Sequence, residues 1–289
     1  MSDVGEEVRG APPEGAGRSR HRQARLVFVR GGGTTVLSRQ VVPYPFHITR
    51  PFRMYPDQPD IATLYLQSAS GGLYRADRLG LDITARPGSR AHVTTQSATV
   101  VHDTGAYAAR QDTRLAIAGD ASLALHPDPM ILFPGSALDL DTRIVAGPDV
   151  RAIVSEGFAS HDPTGMGRPF TRIALSLRVE TEEGRILVNE RSTLDGASLS
   201  GRASPLGAYA AYGSMVILGP AESRPDIAAL QGAADAMGCL FGGSPLPNGA
   251  GLAVRVLARS GGALSTGMDA VFAVAFAALF GVAPARRRK

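Results

Sequence analysis

Tryptophan is absent from this 289-residue sequence, and cysteine and lysine each occur once, as Cys239 and Lys289. A single cysteine excludes an internal disulfide and suits a reducing cytosol. A lysine confined to the last position excludes a phosphate loop ending in Gly-Lys-Ser/Thr and an interior Schiff-base lysine. The nucleophile elbow Gly-x-Ser-x-Gly and the zinc motif His-Glu-x-x-His are also missing. Six histidines (His21, His47, His92, His102, His126, His161) show no His-x-His or His-x-x-x-His spacing, so no closed metal site is expected from one element. The start of the chain is acidic and polar, without the apolar core of a signal peptide. The longest apolar run, Ala270 to Val282, falls short of the roughly twenty residues that cross a bilayer. A cytoplasmic chain without a membrane span is expected.

Glycine is abundant, with 34 residues, which fits a chain of many tight turns. The formal charge is +4, but the arginines are scattered and cluster only at the ends, Arg18 to Arg25 and Arg286 to Lys289. A nucleic-acid binder would gather that charge into a patch with aromatics between, so no nucleic-acid partner is expected. Basic tails remain, as solvated surface or as steering toward an acidic partner.

Short β-type runs closed by Gly, Pro or Asp dominate the chain. Arg25 to Arg30, a glycine turn and Thr34 to Gln40 read as a hairpin. Ile61 to Ser68, Leu138 to Val145, Val150 to Gly157, Phe170 to Glu180, Arg185 to Leu194, Gly213 to Gly219 and Leu252 to Ala258 read as strands, with Thr181 to Gly184 as a hairpin turn. Tyr107 to Gln111 and Arg114 to Ala118 read as two more. The period then changes to that of a helix over Asp226 to Leu240, capped by Ser223 or Arg224, and over Thr266 to Phe280, capped by Ser265 or Thr266 and stopped by Gly281. The expected fold is all-β dominated, with many short strands in a β-helix-like or stacked-sheet architecture and two late α-helices. No exact internal repeat selects a regular solenoid. The expected division is a tail at 1–24, one domain at 25–281 and a basic tail at 282–289.

Several side chains invite chemistry. His126 with Asp128, and His161 with Asp162, could supply N and O ligands; as turn residues they more simply make local hydrogen bonds. Asp139 and Asp141 alternate with Leu138 and Leu140, which marks a solvent-facing edge. Thr94, Thr95 and Gln96 lack a nearby base, so cross-strand bonding or a polar lining suits them better than catalysis. Cys239, in the first helical stretch, reads as buried packing.

Three ordered blocks carry a resemblance: Gly71-Gly72-Leu73 with Asp77 and Leu79; Thr94-Thr95-Gln96-Ser97-Ala98-Thr99; and Pro127-Asp128-Pro129 with Ile131 and Phe133. In this order they resemble the urease accessory protein D family (UreD, also called UreH), with matching order from about Arg25 to Phe280. The family usually has glycine where this chain has Ala76, and a basic residue where it has Val100. Near Gly167-Arg168-Pro169-Phe170 it tends to carry an acidic residue that is missing here; Glu156 is the upstream acidic candidate. The resemblance implies a non-enzymatic scaffold that binds urease apoprotein and accessory protein F, and through F the GTPase accessory protein G. It also implies transient Ni2+ passage, with no tightly bound cofactor. Asp77, Asp128 and Glu156 are the candidate path or interface residues, and the apolar second helix is the candidate docking face. The alternative is a β-rich enzyme acting on a small or sugar-like substrate.

Overall fold

The computed structural model describes residues 20–199 and 204–285. In chain order the strands begin with β1 (His21–Gly31), β2 (Thr34–Val41), β3 (Phe46–Ile48), β4 (Ile61–Ser68), β5 (Arg78–Ala85) and β6 (Arg90–Thr95). They continue with β7 (Val100–Val101), β8 (Ala109–Ile117), β9 (Ser122–His126), β10 (Met130–Leu132), β11 (Ala137–Ala146) and β12 (Arg151–Ser160). β13 (Arg172–Thr181), β14 (Ile186–Asp195), β15 (Ala211–Leu218), α1 (Ile227–Asp235), β16 (Leu240–Pro245), β17 (Gly251–Ala258) and α2 (Gly261–Phe280) complete the order.

The chain alternates between two sheets and stacks on itself in parallel. One sheet has seven strands, in the order β14-β13-β11-β8-β5-β1-β2; the other has ten, including β16-β17-β15-β12-β9-β6-β4-β3 and the short β7 and β10. β5, β8, β11 and β13 lie parallel in the first, and β4, β6, β9 and β12 lie parallel in the second. Successive coils advance by about thirty residues, the size of a solenoid repeat. Each coil needs apolar bulk at its inward positions rather than a fixed residue, so the repeat leaves no sequence periodicity.

The two sheets differ in what covers them. The seven-stranded sheet alternates buried and part-exposed positions along β5, β11 and β13, because its outer face meets water. That face carries ion pairs, among them Arg172–Asp139 (2.6 Å) and Arg110–Asp112 (2.7 Å). The other sheet is buried on both faces: all five residues of β9 are buried. Its outer face packs against α2, where Val271, Phe272, Ala275 and Phe276 meet Ile61, Ala124, Ile153 and Met215. At Gly213 an added Cβ would come within 2.6 Å of Met268 Sδ, so Met268 and Leu264 of α2 pack directly onto the bare backbone there.

Several expectations need correction. The tail expected at 1–24 gives way to β1 at His21, where His21–Ala24 pair with Arg78–Leu81; residues 1–19 and the basic end 286–289 lie outside the described residues. The two runs expected at 107–111 and 114–118 are one strand, β8, because inward Gln111 and Thr113 mimic a turn in sequence. α1 ends at Asp235, short of Leu240, which joins β16; its cap is Asp226, whose side chain accepts from Ala228 N–H (3.1 Å). α2 begins at Gly261 with Ser260 as cap, five residues before the expected start, and Gly281 ends it at φ 70. With twenty residues, α2 is by length and composition apolar enough to cross a membrane, unlike the shorter run read from the sequence. Its large apolar side chains form the core instead, which closes them to the docking role expected of this helix. Cys239 is buried as expected but lies outside the helix, in the turn before β16, against Gly267 of α2.

Candidate functional site

Strand alternation points every second residue into the coil, and most of these are apolar. One band is not. Gln111 and Thr113 of β8, Thr142 of β11, Thr95 of β6 and Glu156 of β12 surround a cavity of about 220 Å³ between the sheets. Leu81, Val93, Leu125 and Val154 wall it on one side and Leu73, Leu79 and Leu140 on the other, so it separates two apolar clusters of the interior. The exposed Ser68, Gly71 and Ser97 stand at its open side, with Asp128 and Met130. The loops are drawn tight there. Leu73 N–H donates to Val100 O (2.8 Å), and Gly72 has φ 136 with its missing Cβ only 2.2 Å from that carbonyl. No residue but glycine fits.

Glu156 lines this cavity from β12 and is only partly exposed. Burial pushes its carboxyl up to about 7; Arg255 opposes this, Glu190 adds to it, and the Thr142 hydroxyl opposes it. Arg255 on β17 donates to both oxygens of Glu190 on β14, an ion pair close enough for both charges to act on Glu156 although neither residue lines the cavity. At the mouth, Asp128 N–H donates to Thr95 Oγ1 (2.8 Å), and Thr94 Oγ1 donates to the His126 carbonyl (2.6 Å). These bonds tie the turn after β9 to the coil below.

The family described as UreD urease accessory protein matches residues 20–289. The chain is 61% identical over 290 residues to Urease accessory protein UreD 1 of Methylorubrum populi, covering 100% of this chain and 99% of that one. It is 43% identical over 274 residues to Urease accessory protein UreD 3 of a Bradyrhizobium species, covering 95% and 97%. It is 34% identical over 277 residues to Urease accessory protein UreD 1 of Pseudomonas syringae, covering 93% and 95%. The chain belongs to the UreD family of urease accessory proteins. Membership supports a role in urease maturation.

Within this UreD fold the three candidate residues separate. Asp128 and Glu156 line one cavity. Asp77 does not line it. It is buried at the β4–β5 turn, where it accepts from Arg20 Nε (3.0 Å) and Tyr74 N–H (2.8 Å) and forms an ion pair with Arg20. Arg20 also donates to Gly72 O (2.8 Å), so Asp77 fixes the start of the coil. His126 turns away from the cavity. Its Nδ1 meets Ser155 Oγ (2.6 Å), its Nε2 meets Asp269 Oδ1 (2.9 Å), and its ring stacks on Phe272. β9 ends at His126, and the turn beyond it leaves His126 against α2 and Asp128 at the cavity, so the two are not paired as ligands. Asp162 binds the Thr164 and Arg168 of its own loop, and Arg168 holds its carboxyl well below the usual range. Among the described residues no group of three His, Cys, Asp or Glu comes together that could hold a metal ion. Arg255, Glu190 and Thr142 were not singled out from sequence. Arg255 carried a signal nonetheless: it occupies an inward position between Val254 and Val256.

Proposed function

We propose that this chain is a non-catalytic scaffold of urease maturation that passes nickel(II) through its interior toward urease, in the cytoplasm. The single observation carrying this reading is the polar hollow between the sheets, with the carboxylates of both Asp128 and Glu156 among its lining residues. A delivery path must bind its cargo weakly, and scattered oxygen donors do so where a closed nitrogen–sulfur site would trap the ion. A carboxyl that titrates near 7 suits the task, since it can exchange a proton for a divalent cation at neutral pH. Urease apoprotein would bind this chain together with accessory protein F, which recruits the GTPase accessory protein G. Nickel would enter from that side.

The test is urease activity in cells carrying the urease operon with this chain deleted, then restored as wild type or variant, at fixed nickel. Wild type is expected to restore activity, Glu156→Gln with Asp128→Asn to leave it at least tenfold lower, and both to accumulate normally. Full activity without the chain would sink the maturation role. Full activity with the double variant would keep the scaffold and remove the nickel route from this cavity.

A further inference from the structure

Both sheets end, at the N-terminal end of the solenoid, in an edge strand: β2 in one and β3 in the other. Between them runs a groove of about 550 Å³, lined by Val36 to Gln40 on one side and by Ile48 to Pro51 and Arg53 on the other. It shares no residue with the interior cavity. Along β2, Thr35 N–H donates to Asp60 O (3.1 Å). Beyond it, residues 36–41 make no backbone bond to any element but β1 among the described residues. That leaves a free edge about a strand long, a ready template for another chain.

Two further features set what fits. Of the nine large apolar side chains exposed among the described residues, Val36 lines the groove, Val41 ends β2 and Phe52 stands between the lining residues Pro51 and Arg53. The groove is also lined by three exposed arginines, Arg39, Arg50 and Arg53, and by no carboxylate. Arg53 donates to Thr35 O; Arg39 and Arg50 have no carboxylate partner among the described residues. A second copy of the same edge would bring arginine against arginine, which disfavours self-pairing.

We propose that this edge and groove form a docking surface for an extended acidic segment of a partner protein. The segment adds to the free edge of β2, its carboxylates meeting Arg39 and Arg50 and its alternate apolar side chains covering Val36, Val41 and Phe52. The full chain would be titrated against a fluorescein-labelled octapeptide alternating Glu and Val, and against its Lys–Val counterpart, by anisotropy at two salt concentrations. The Glu–Val peptide is expected to bind, more weakly at high salt, and the Lys–Val peptide not to bind. R39E/R50E is expected to weaken Glu–Val binding at least tenfold, whereas R114E/R191E, on the outer face of the seven-stranded sheet, leaves it unchanged. Hydrogen exchange should slow at the outward amides between Val36 and Val41 when the peptide is bound. Absence of binding, equal loss in both double variants, or protection elsewhere would each overturn the proposal. Thermal melts of both variants matching wild type confirm that they fold.

Discussion

In one column of the coil interior, Ile83, Leu115, Ile144 and Val179 stack in register, and Leu64, Val93, Leu125, Val154 and Val216 stack in the opposite sheet. Two residues along the same strands the columns read Leu81, Thr113, Thr142 and Leu177 in one sheet, and Leu66 and Thr95, then Glu156, Ser214 and Arg255, in the other. The first pair of columns is apolar throughout, and its Val93, Leu125 and Val154 form one wall of the cavity. The second pair is part polar, and its Leu66, Leu81, Thr95, Thr113, Thr142 and Glu156 line the hollow. The seven-stranded sheet keeps its register across both columns, whereas in the other sheet β9 ends at His126 and leaves no paired residue between Thr95 and Glu156, so the hollow comes from polar side chains on one wall and a missing strand on the other. Threonines fill less volume than leucines and need oxygen or nitrogen neighbours, and a buried carboxylate needs a guanidinium or water. The contrast teaches that the solenoid is stabilised by its apolar columns and keeps a polar one at some cost.

Breaking the scaffold away from the hollow should have the largest effect. Asp77→Ala leaves Arg20 without its carboxylate, and removing one member of a buried pair costs about 3–5 kcal/mol. The urea midpoint of the variant against wild type measures it, and a loss under 1 kcal/mol would deny Asp77 its structural role. Leu123→Ala, two residues before Leu125 in the apolar interior, should cost about 3 kcal/mol by transfer and cavity formation, read the same way. Urease activation per folded chain should survive it.

The third prediction sharpens the contrast, because it removes a cost rather than a contact. The folded-state carboxyl of Glu156 is raised from 4.5 to about 7. The folded chain thus holds this proton more tightly than the unfolded chain. The associated stability is whole below pH 4.5 and is lost as pH rises through about 7. Glu156→Gln should therefore stabilise the protein at pH 8, by roughly 2–3 kcal/mol at most, and change little at pH 4. Thermal melts at the two pH values decide it; equal shifts at both would mean that burial of the charge is not the cause. The smallest effect concerns a turn. Ala76 holds φ 56, the left-handed region that favours glycine. Ala76→Gly should add about 1 kcal/mol, seen as a higher melting temperature.

Much of this fold could be read locally. β4 spans Ile61–Ser68 as its alternation indicated, and Gly281 ends α2 as glycine should. The failures are long-range. Leu240 looked helical because its pairing partner, Leu257 of β17, is distant in sequence. The break expected between Gln111 and Arg114 does not exist, because nothing local says that a cavity waits for the side chain of Thr113. The site was half legible. Asp128 and Glu156 share the cavity, whereas Asp77 looked equivalent to them until its partner Arg20, 57 positions away, came into view. Ala76 is the converse case. The departure from the family's usual glycine was visible in the sequence, and its physical meaning, a strained backbone position, needed the structure.

The nickel content of urease purified from cells co-expressing Glu156→Gln/Asp128→Asn tests the central claim most directly, with Leu123→Ala at matched abundance as the control. The account predicts urease with less than a tenth of the wild-type nickel for the double variant, and near wild-type nickel for the control. Full nickel occupancy with the double variant would contradict it, because the polar column would then be a feature of the scaffold and not a route.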